Sequence, residues 1–223
     1  EAKKLVGLGH DNVFAEFKRE LGGQQSWQVN GRTITPEDLS GYLLKQVMSD
    51  YTQQFGQPET LVISWPANFT DRQKVATQEA ARRAGLNVQH FINEPTAAAL
   101  YYTLALKLNG TFLVYDLGGG TFDVTVVEVK GHDVRVIFSE GVPRLGGADM
   151  DAAMLGIIGE KFTRHTGAAF DRVDCNLSQP DIESPKHSLS TRDSTDIRPI
   201  SQSNGPVKMT ITRTEFETAI QPL

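Results

Sequence analysis

The sequence predicts a mixed α/β fold in two lobes, on the basis of three observations. In the first half a strand-like run, a capped helix and a second strand-like run follow one another, which is the pattern of an α/β unit. The second half begins with strand-like runs joined by short turns, which is typical of an antiparallel meander. Asn109-Gly110 separates the two patterns just after a predicted helix. We therefore predict a first-lobe portion over residues 1–106 and a second-lobe portion over residues 107–223.

The first half has clear start and stop signals. Asn30-Gly31 predicts a two-residue hairpin turn, because both residues tolerate positive φ. Thr35 before Pro36 predicts the start of an amphipathic helix that ends by Gly56. The other predicted elements are a buried strand at Leu61 to Trp65, a helix from Thr70 to Ala84, a strand at Val88 to Ile92 and a helix from Pro95 to about Leu106.

The second half is less uniform. A helix over roughly Asp149 to His165 has apolar residues at helical spacing, which indicates a face that packs in a core. From Thr166 to Asn204 the composition is polar and predicts elements only weakly. The other predicted elements are strands at Thr111 to Tyr115, Phe122 to Val129, Val134 to Phe138 and Val207 to Ile211, and a last helix with the capping box Thr212/Glu215.

Composition narrows the class of protein. The chain has 223 residues, 39% of them apolar, and a net charge of −5 with a pI near 5.6, which argues against a nucleic-acid surface. It has one cysteine, Cys175, and no apolar run of about 18 residues, so we expect no disulfide, no membrane span and a cytoplasmic location. Because it starts at Glu1 without a methionine, we expect a fragment of a longer protein.

The most informative segment is Asp116-Leu-Gly-Gly-Gly-Thr-Phe-Asp, which lies between two predicted strands. Successive glycines let backbone N–H groups approach an anion, and the flanking aspartates with Thr121 supply hard oxygen ligands. A plain hairpin turn is the alternative. No Gly-Lys-Ser/Thr follows, and a strand continues the chain, so the segment is not a Walker loop. It predicts a site for a nucleotide with a divalent metal.

A second carboxylate is expected near this turn. Glu94, in Asn93-Glu94-Pro95-Thr96, follows a predicted strand and opens a helix, where ligands of α/β sheets bind. Alternatively, Glu94 only complements the helix dipole. Together with Asp116, it could share a hydrated magnesium ion or orient an attacking water.

Three strings carry a family resemblance: Ile92-Asn-Glu-Pro-Thr-Ala-Ala-Ala, Asp116-Leu-Gly-Gly-Gly-Thr-Phe-Asp and Leu145-Gly-Gly-Ala-Asp-Met-Asp. In this order and spacing they closely resemble the seventy-kilodalton heat-shock chaperones, the DnaK-type ATPases, from about Lys3 to Phe216. The resemblance implies the two-lobed actin-like fold with ribonuclease H-like lobes. It also implies that the opening phosphate-loop strands and the closing adenosine-motif segment are missing. Actins and sugar kinases share the glycine turn but not these strings.

The resemblance implies ATP or ADP, Mg²⁺ and K⁺ as ligands. Asp116 and Glu94 would hold Mg²⁺ through water, and Thr121 with Asp123 would line the phosphate and K⁺ site. Lys3 would be the catalytic lysine, because it lies 15 residues before Lys18 of a Lys-Arg pair; the alternative is a solvated terminal charge. The implied catalytic residues are Lys3, Glu94, Asp116, Thr121 and Asp123, and the implied phosphate-binding glycines are Gly118, Gly119, Gly120, Gly146 and Gly147.

For the adenosine, the resemblance implies Glu183, Lys186, His187 and Ser190. This sequence departs from the family pattern at Pro185. With Ser184 as cap and Pro185 as first helical residue, we expect Glu183 to lie outside the helix.

The resemblance also implies coupling and partner residues, namely Pro66, Lys74, His90, Asn93 and Thr96. Pro66 would belong to a switch that reports nucleotide state, or else simply ends a strand. His90 replaces an arginine with which the family receives a J-domain co-chaperone. A nucleotide exchange factor, and client polypeptides held by a peptide-binding domain that this sequence lacks, are the other implied partners.

The expected function is ATP binding and hydrolysis that regulates client binding in a full-length chaperone, with weak activity for these residues alone. One alternative is a catalytically impaired, chaperone-like interaction module. Another is a different actin-fold ATPase or a sugar kinase.

Overall fold

The computed structural model describes residues 2–223 and divides into two compact units. The central unit is Glu16–Arg144, and the split unit joins residues up to Ala15 to Leu145–Leu223. These bounds differ from the predicted lobes, because the expected boundary near residue 107 falls inside the central unit. There the helix before the boundary packs through Ala99 on the strands that follow it.

In chain order, the helices are α1 (Ala2–Leu5), a 3-10 helix (Phe17–Glu20), α2 (Pro36–Phe55), α3 (Asp71–Arg83), α4 (Glu94–Leu106), α5 (Gly147–Thr166), α6 (Gln179–Ser188) and α7 (Arg213–Ile220). The strands are β1 (Trp27–Val29), β2 (Arg32–Ile34), β3 (Val62–Trp65), β4 (His90–Asn93), β5 (Gly110–Leu117), β6 (Phe122–Lys130), β7 (Asp133–Val142), β8 (Ser194–Ile197), β9 (Ile200–Ser201), β10 (Gly205–Pro206) and β11 (Met209–Thr212).

The predicted start signals of the central unit are confirmed. Strands β1 and β2 pair antiparallel across Asn30-Gly31. The Thr35 hydroxyl accepts the Asp38 N–H, and the Asp38 carboxylate accepts the Thr35 N–H, so the capping box of α2 is complete. Arg83 of α3 reaches the same carboxylate at 2.6 Å, which ties α3 to the start of α2.

Strands β3 and β4 are parallel, with Trp65 opposite Asn93. Strand β4 begins at His90 and not at the predicted Val88. One reason is that the Gln89 side chain, at 2.6 Å, accepts the Leu61 N–H before the ladder begins. Strand β3 precedes α3, and β4 leads directly into α4. Because the two strands are parallel, their last residues, Trp65 and Asn93, lie at the same edge of the sheet.

Strands β5, β6 and β7 form the predicted antiparallel meander. Helix α4 covers one face, where Val127 and Val129 are fully buried against Ala99. In the β5–β6 ladder, Asp116 stands directly opposite Asp123 at the end next to the glycine turn.

The core of the split unit is built on α5. Its predicted apolar face is confirmed by Met154, Ile158 and Phe162, which are at most 1% exposed. The polar segment from Thr166 to Asn204 is ordered, in contrast to its weak prediction. It contributes single buried residues to the same core, namely Cys175, Leu177, Ile182, Leu189 and Ile197.

The predicted position of Glu183 outside a helix was wrong. Helix α6 starts two turns earlier than expected, because Ser178 and Asp181 form a capping box, and it therefore includes Glu183. Pro185 lies inside the helix and is buried. It lacks an N–H for a helical bond, a cost that its packing offsets.

Candidate functional site

The glycine turn of the central unit is a four-residue loop between β5 and β6. The Gly118 N–H donates to the Thr121 carbonyl at 3.0 Å, which closes the loop. Around Gly119 there is open space within 4 Å of where a Cβ would lie. The backbone of the turn is therefore accessible to a ligand, as the sequence predicted for an anion-binding loop.

Arg19 lies under this turn, a contact that the sequence did not predict. Its Nη2 donates to the Gly119 carbonyl at 3.4 Å, and a Cβ on Gly120 would lie 2.8 Å from its Nε. Gly120 is thus required for space as well as for backbone approach. The available signal was the Lys18-Arg19 pair, which places two cations next to each other on the 3-10 helix.

Lys18 lies beside the predicted carboxylate of Glu94. Its Nζ lies 3.1 Å from Oε1 of Glu94, the first residue of α4, and 6.0 Å from the centroid of the Phe69 ring. In the sequence, Lys18 only marks the spacing from Lys3, and its contact with Glu94 was not predicted. The central unit therefore contains its own cation beside Glu94.

Asp123 is the most perturbed acid of this cluster. Burial raises the pKa of its carboxyl above the usual range, and Glu94 and Asp116 raise it further, against the hydrogen bond of Thr121 and the charge of Lys18. Its Oδ1 has no hydrogen-bond partner in the described part of the chain. A buried carboxylate oxygen of this kind is a ready acceptor for a cation or a hydrated cation.

The donor set fits a hard cation held through water. Within residues 2–223, no three His, Cys, Asp or Glu side chains are arranged to bind a metal directly. The cluster nevertheless has three carboxylates, Glu94, Asp116 and Asp123, and one lysine, Lys18. It therefore keeps an excess of negative charge and of hard oxygen atoms. The cluster is therefore compatible with outer-sphere contacts from Asp116 and Glu94 and argues against a metal cage made only of protein ligands.

Asp123→Asn should stabilise the fold at neutral pH. A raised folded-state pKa means that ionising Asp123 costs folding free energy, so stability is greatest below the unfolded-state pKa and falls as pH rises through the raised value. Removing the charge should raise the melting temperature by roughly 2–4 °C, for about 1 kcal/mol, at pH 7.

Thermal unfolding at pH 7 and at pH 3.5 measures this effect, with Asp133→Asn on exposed strand β7 as the control. The gain should shrink at pH 3.5, where the carboxyl is largely protonated in the unfolded state as well. A lower melting temperature at pH 7 would contradict the raised pKa.

The split unit contains the other predicted nucleotide residues. Lys3 pairs with Glu183 at 2.6 Å, and Lys186 pairs with Asp151 at 2.6 Å. Lys186 also donates to the Gly147 carbonyl at 3.0 Å, which brings a predicted phosphate glycine and a predicted adenosine lysine together. Lys3 thus lies with the predicted adenosine residues.

Arg172 holds the segment that carries Lys3. It donates to the Val6 carbonyl at 3.1 Å and to the Leu177 carbonyl at 2.8 Å. A side chain on Gly7, which has a φ of 82°, would collide with its guanidinium. The N-terminal residues therefore pack near the start of α6 through a half-buried arginine that the sequence did not single out.

The remaining predicted nucleotide-binding residues of the split unit are Gly146, His187 and Ser190. Gly146 is buried at the start of α5, whereas His187 and Ser190 are exposed. Ser190 follows Leu189, the residue at the C-terminal cap of α6, so it lies beyond the helix that contains Glu183 and Lys186.

The predicted coupling residues are spread over the β3–α3 and β4–α4 segments: Pro66 follows β3, Lys74 lies in α3, His90 begins β4, Asn93 ends β4 and Thr96 lies in α4. Pro66 is buried, and the indole N–H of Trp65 donates to Asn93 Oδ1 at 3.1 Å. Lys74 and Thr96 are half-buried, and His90 is exposed.

In residues 2–223 no helix has the length and apolarity needed to cross a membrane.

Fold and site together define a class: a mixed α/β protein with an accessible glycine turn that is flanked by carboxylates and a lysine. Comparison with known proteins identifies a family within this class. The Hsp70 protein family model matches residues 3–223. The chain belongs to the Hsp70 family of chaperones, and its fold is that of the family's ATPase domain.

Relatives agree with this assignment. The chain is 38% identical over 240 residues to the chaperone protein DnaK of Thermus thermophilus, which covers all of this chain and 39% of the relative. It is 36% identical over 232 residues to that of Picrophilus torridus, covering all of this chain and 38% of the relative. For that of Deinococcus deserti the identity is 42% over 172 residues, covering 74% and 27% respectively. The chain thus spans about two fifths of the length of the first two.

Proposed function

We propose that this chain is part of an ATP-binding and ATP-hydrolysing domain, and that nucleotide state in the full-length protein regulates the binding of client polypeptides. The observation that carries the proposal is the charge cluster of the central unit. Asp116 and Asp123 flank an accessible glycine turn, and Lys18 lies 3.1 Å from Glu94. This is the set of groups that phosphoryl transfer requires, because its catalysis consists mainly of positioning and charge stabilisation.

Each residue of the cluster has a distinct role in the proposal. Backbone N–H groups of Gly119 and Gly120 hold phosphate oxygens. Glu94 orients the attacking water, and Thr121 holds Asp123 by a hydrogen bond. Lys18 neutralises the charge that develops on the transferred phosphoryl group, a role that the sequence assigned to Lys3.

Mg²⁺ and K⁺ belong to the same proposal. Bound Mg²⁺ would supply charge neutralisation for the phosphates, with Asp116 and Glu94 holding it through water. Asp123 and Thr121 offer oxygen atoms for K⁺. In the split unit, Gly146, Gly147, Glu183, Lys186, His187 and Ser190 remain the proposed nucleoside-side residues.

The proposed partners follow from family membership. They are a J-domain co-chaperone contacting His90, Asn93 and Thr96, a nucleotide exchange factor, and client polypeptides, all in the cytoplasm. Pro66 and Lys74 would transmit nucleotide state. An impaired interaction module is disfavoured, because the Lys18–Glu94 pair and both aspartates of the glycine turn are present.

Calorimetric titration with ATP and ADP, with and without Mg²⁺, tests binding by the 223 residues. We expect weak, magnesium-dependent affinity and little turnover for these residues alone, and sustained hydrolysis by the full-length protein. In the full-length protein, Glu94→Ala and Thr121→Ala should lower the rate at least tenfold. Unchanged rates in both variants would refute the proposed chemistry.

A further inference from the structure

We propose that Trp65 is a positioning residue for Glu94, acting through a hydrogen bond to Asn93. The proposal rests on the proposed function, since it concerns how the same site is held. Two observations lead to it. Helix α4 starts without a side-chain cap from Asn93, and two aromatic residues, Trp65 and Phe69, lie before and after Pro66 in the sequence.

Helix α4 begins without the side-chain cap that its sequence offers. Asn93 is at the N-cap, where asparagine normally accepts the N–H of the second or third helical residue. Pro95 has no N–H, and the Asn93 side chain makes no capping bond to the helix. Its Oδ1 accepts the Trp65 indole N–H at 3.1 Å instead. The Asn93 side chain is thus committed to β3 at the expense of the helix.

The indole itself is held firmly. Its ring stacks on Phe91, with centroids 4.8 Å apart and planes 13° apart, and Trp65 stands opposite Asn93 in the parallel ladder. The stacked ring fixes where the N–H points. Because Glu94 follows Asn93 directly, this bond determines the direction in which the Glu94 side chain leaves the sheet edge.

The same segment also reaches the partner of Glu94. Phe69, four residues after Trp65, is buried and donates its N–H to the Pro66 carbonyl at 3.2 Å. Its ring lies 6.0 Å from Lys18 Nζ, within range of a cation–π contact. The segment 65–69 is therefore linked to both members of the Lys18–Glu94 pair. Trp65 is linked to Glu94 through Asn93, and Phe69 contacts the Lys18 ammonium group directly.

Trp65→Phe tests the proposal, because it keeps a stacking ring and removes only the N–H. In the full-length protein, we expect the single-turnover rate of ATP hydrolysis to fall about five- to twentyfold while nucleotide Kd changes less than twofold. Trp27→Phe in the β1–β2 hairpin is the matched control and should leave both values unchanged. In a Glu94→Gln background, Trp65→Phe should have no further effect on rate, because its effect passes through Glu94.

A nucleotide-free measurement separates this proposal from the proposed function. In the 223-residue chain, the ¹³C resonance of the Glu94 carboxyl should shift in Trp65→Phe and in Asn93→Ala, and should stay in place in Trp27→Phe. If that resonance stays in place in Trp65→Phe, or the rate losses of Trp65→Phe and Glu94→Gln add, Trp65 does not position Glu94. If the resonance shifts but the full-length protein neither binds nor hydrolyses ATP, the positioning holds and the proposed function fails.

Discussion

Lys18→Met is expected to lower the single-turnover rate of ATP hydrolysis by the full-length protein about 100- to 1000-fold. Lys18 is the cation that the structure places at Glu94, with Asp116 and Asp123 close by. Lys3, for which the family resemblance implies the same role, is paired with Glu183 in the split unit. If Lys18 has this role, Lys3→Met should change the rate less than threefold. The two substitutions should therefore give different results in the same assay: a large loss of rate for Lys18→Met and little change for Lys3→Met.

Lys45→Met on the exposed side of α2 is the control for removing a positive charge. The Lys18 side chain is 59% exposed, so loss of its ion pair should cost less than about 1 kcal/mol of stability, and a loss of rate would not reflect unfolding. A large loss in Lys3→Met with a normal rate in Lys18→Met would support the assignment based on sequence spacing and refute the one based on contact.

Phe162→Ala should destabilise the protein by about 3–5 kcal/mol, the largest stability effect that we expect. Phe162 is 1% exposed and lies edge-to-face with Phe170 at a centroid distance of 5.7 Å. Truncation would leave a cavity in the centre of the split unit, between α5 and the strands packed on it. The melting temperature should fall by roughly 10 °C or more.

Urea unfolding followed by circular dichroism measures this loss. Phe55→Ala at the end of α2 is the matched control, because that ring is 66% exposed and its truncation should change stability by about 0.5 kcal/mol or less. Equal losses for the two variants would show that the α5 face does not form a core in solution.

Local sequence signals predicted the individual elements well. The Thr35 and Thr212 capping boxes, the Asn30-Gly31 hairpin and the apolar face of α5 all depend on residues within a few positions of one another. The same holds for the glycine turn, whose neighbours in sequence are also its neighbours in the β5–β6 hairpin. Short-range interactions of this kind can be read directly from spacing.

The predicted start of α6 was wrong although its signal is local. Pro185 is a helix-start signal, but the capping box of Ser178 and Asp181 lies before it and starts the helix earlier. The lobe boundary after α4 stays a prediction. Nothing local in the sequence indicates that Ala99 packs on β6, a contact between residues that are distant in sequence.

The sequence by itself determined the family, the glycine turn and its flanking acids, because these are contiguous strings whose chemistry does not depend on the rest of the chain. Only the tertiary structure decided which lysine stands at Glu94, that Lys3 pairs with Glu183, and that Trp65 holds Asn93. Lys18 and Glu94 are 76 positions apart, and Lys3 and Glu183 are 180 positions apart. Hydrogen bonds need donor and acceptor in contact, and salt screens ion pairs beyond about 10 Å, so such pairs are set by how the chain packs and not by how its residues are spaced.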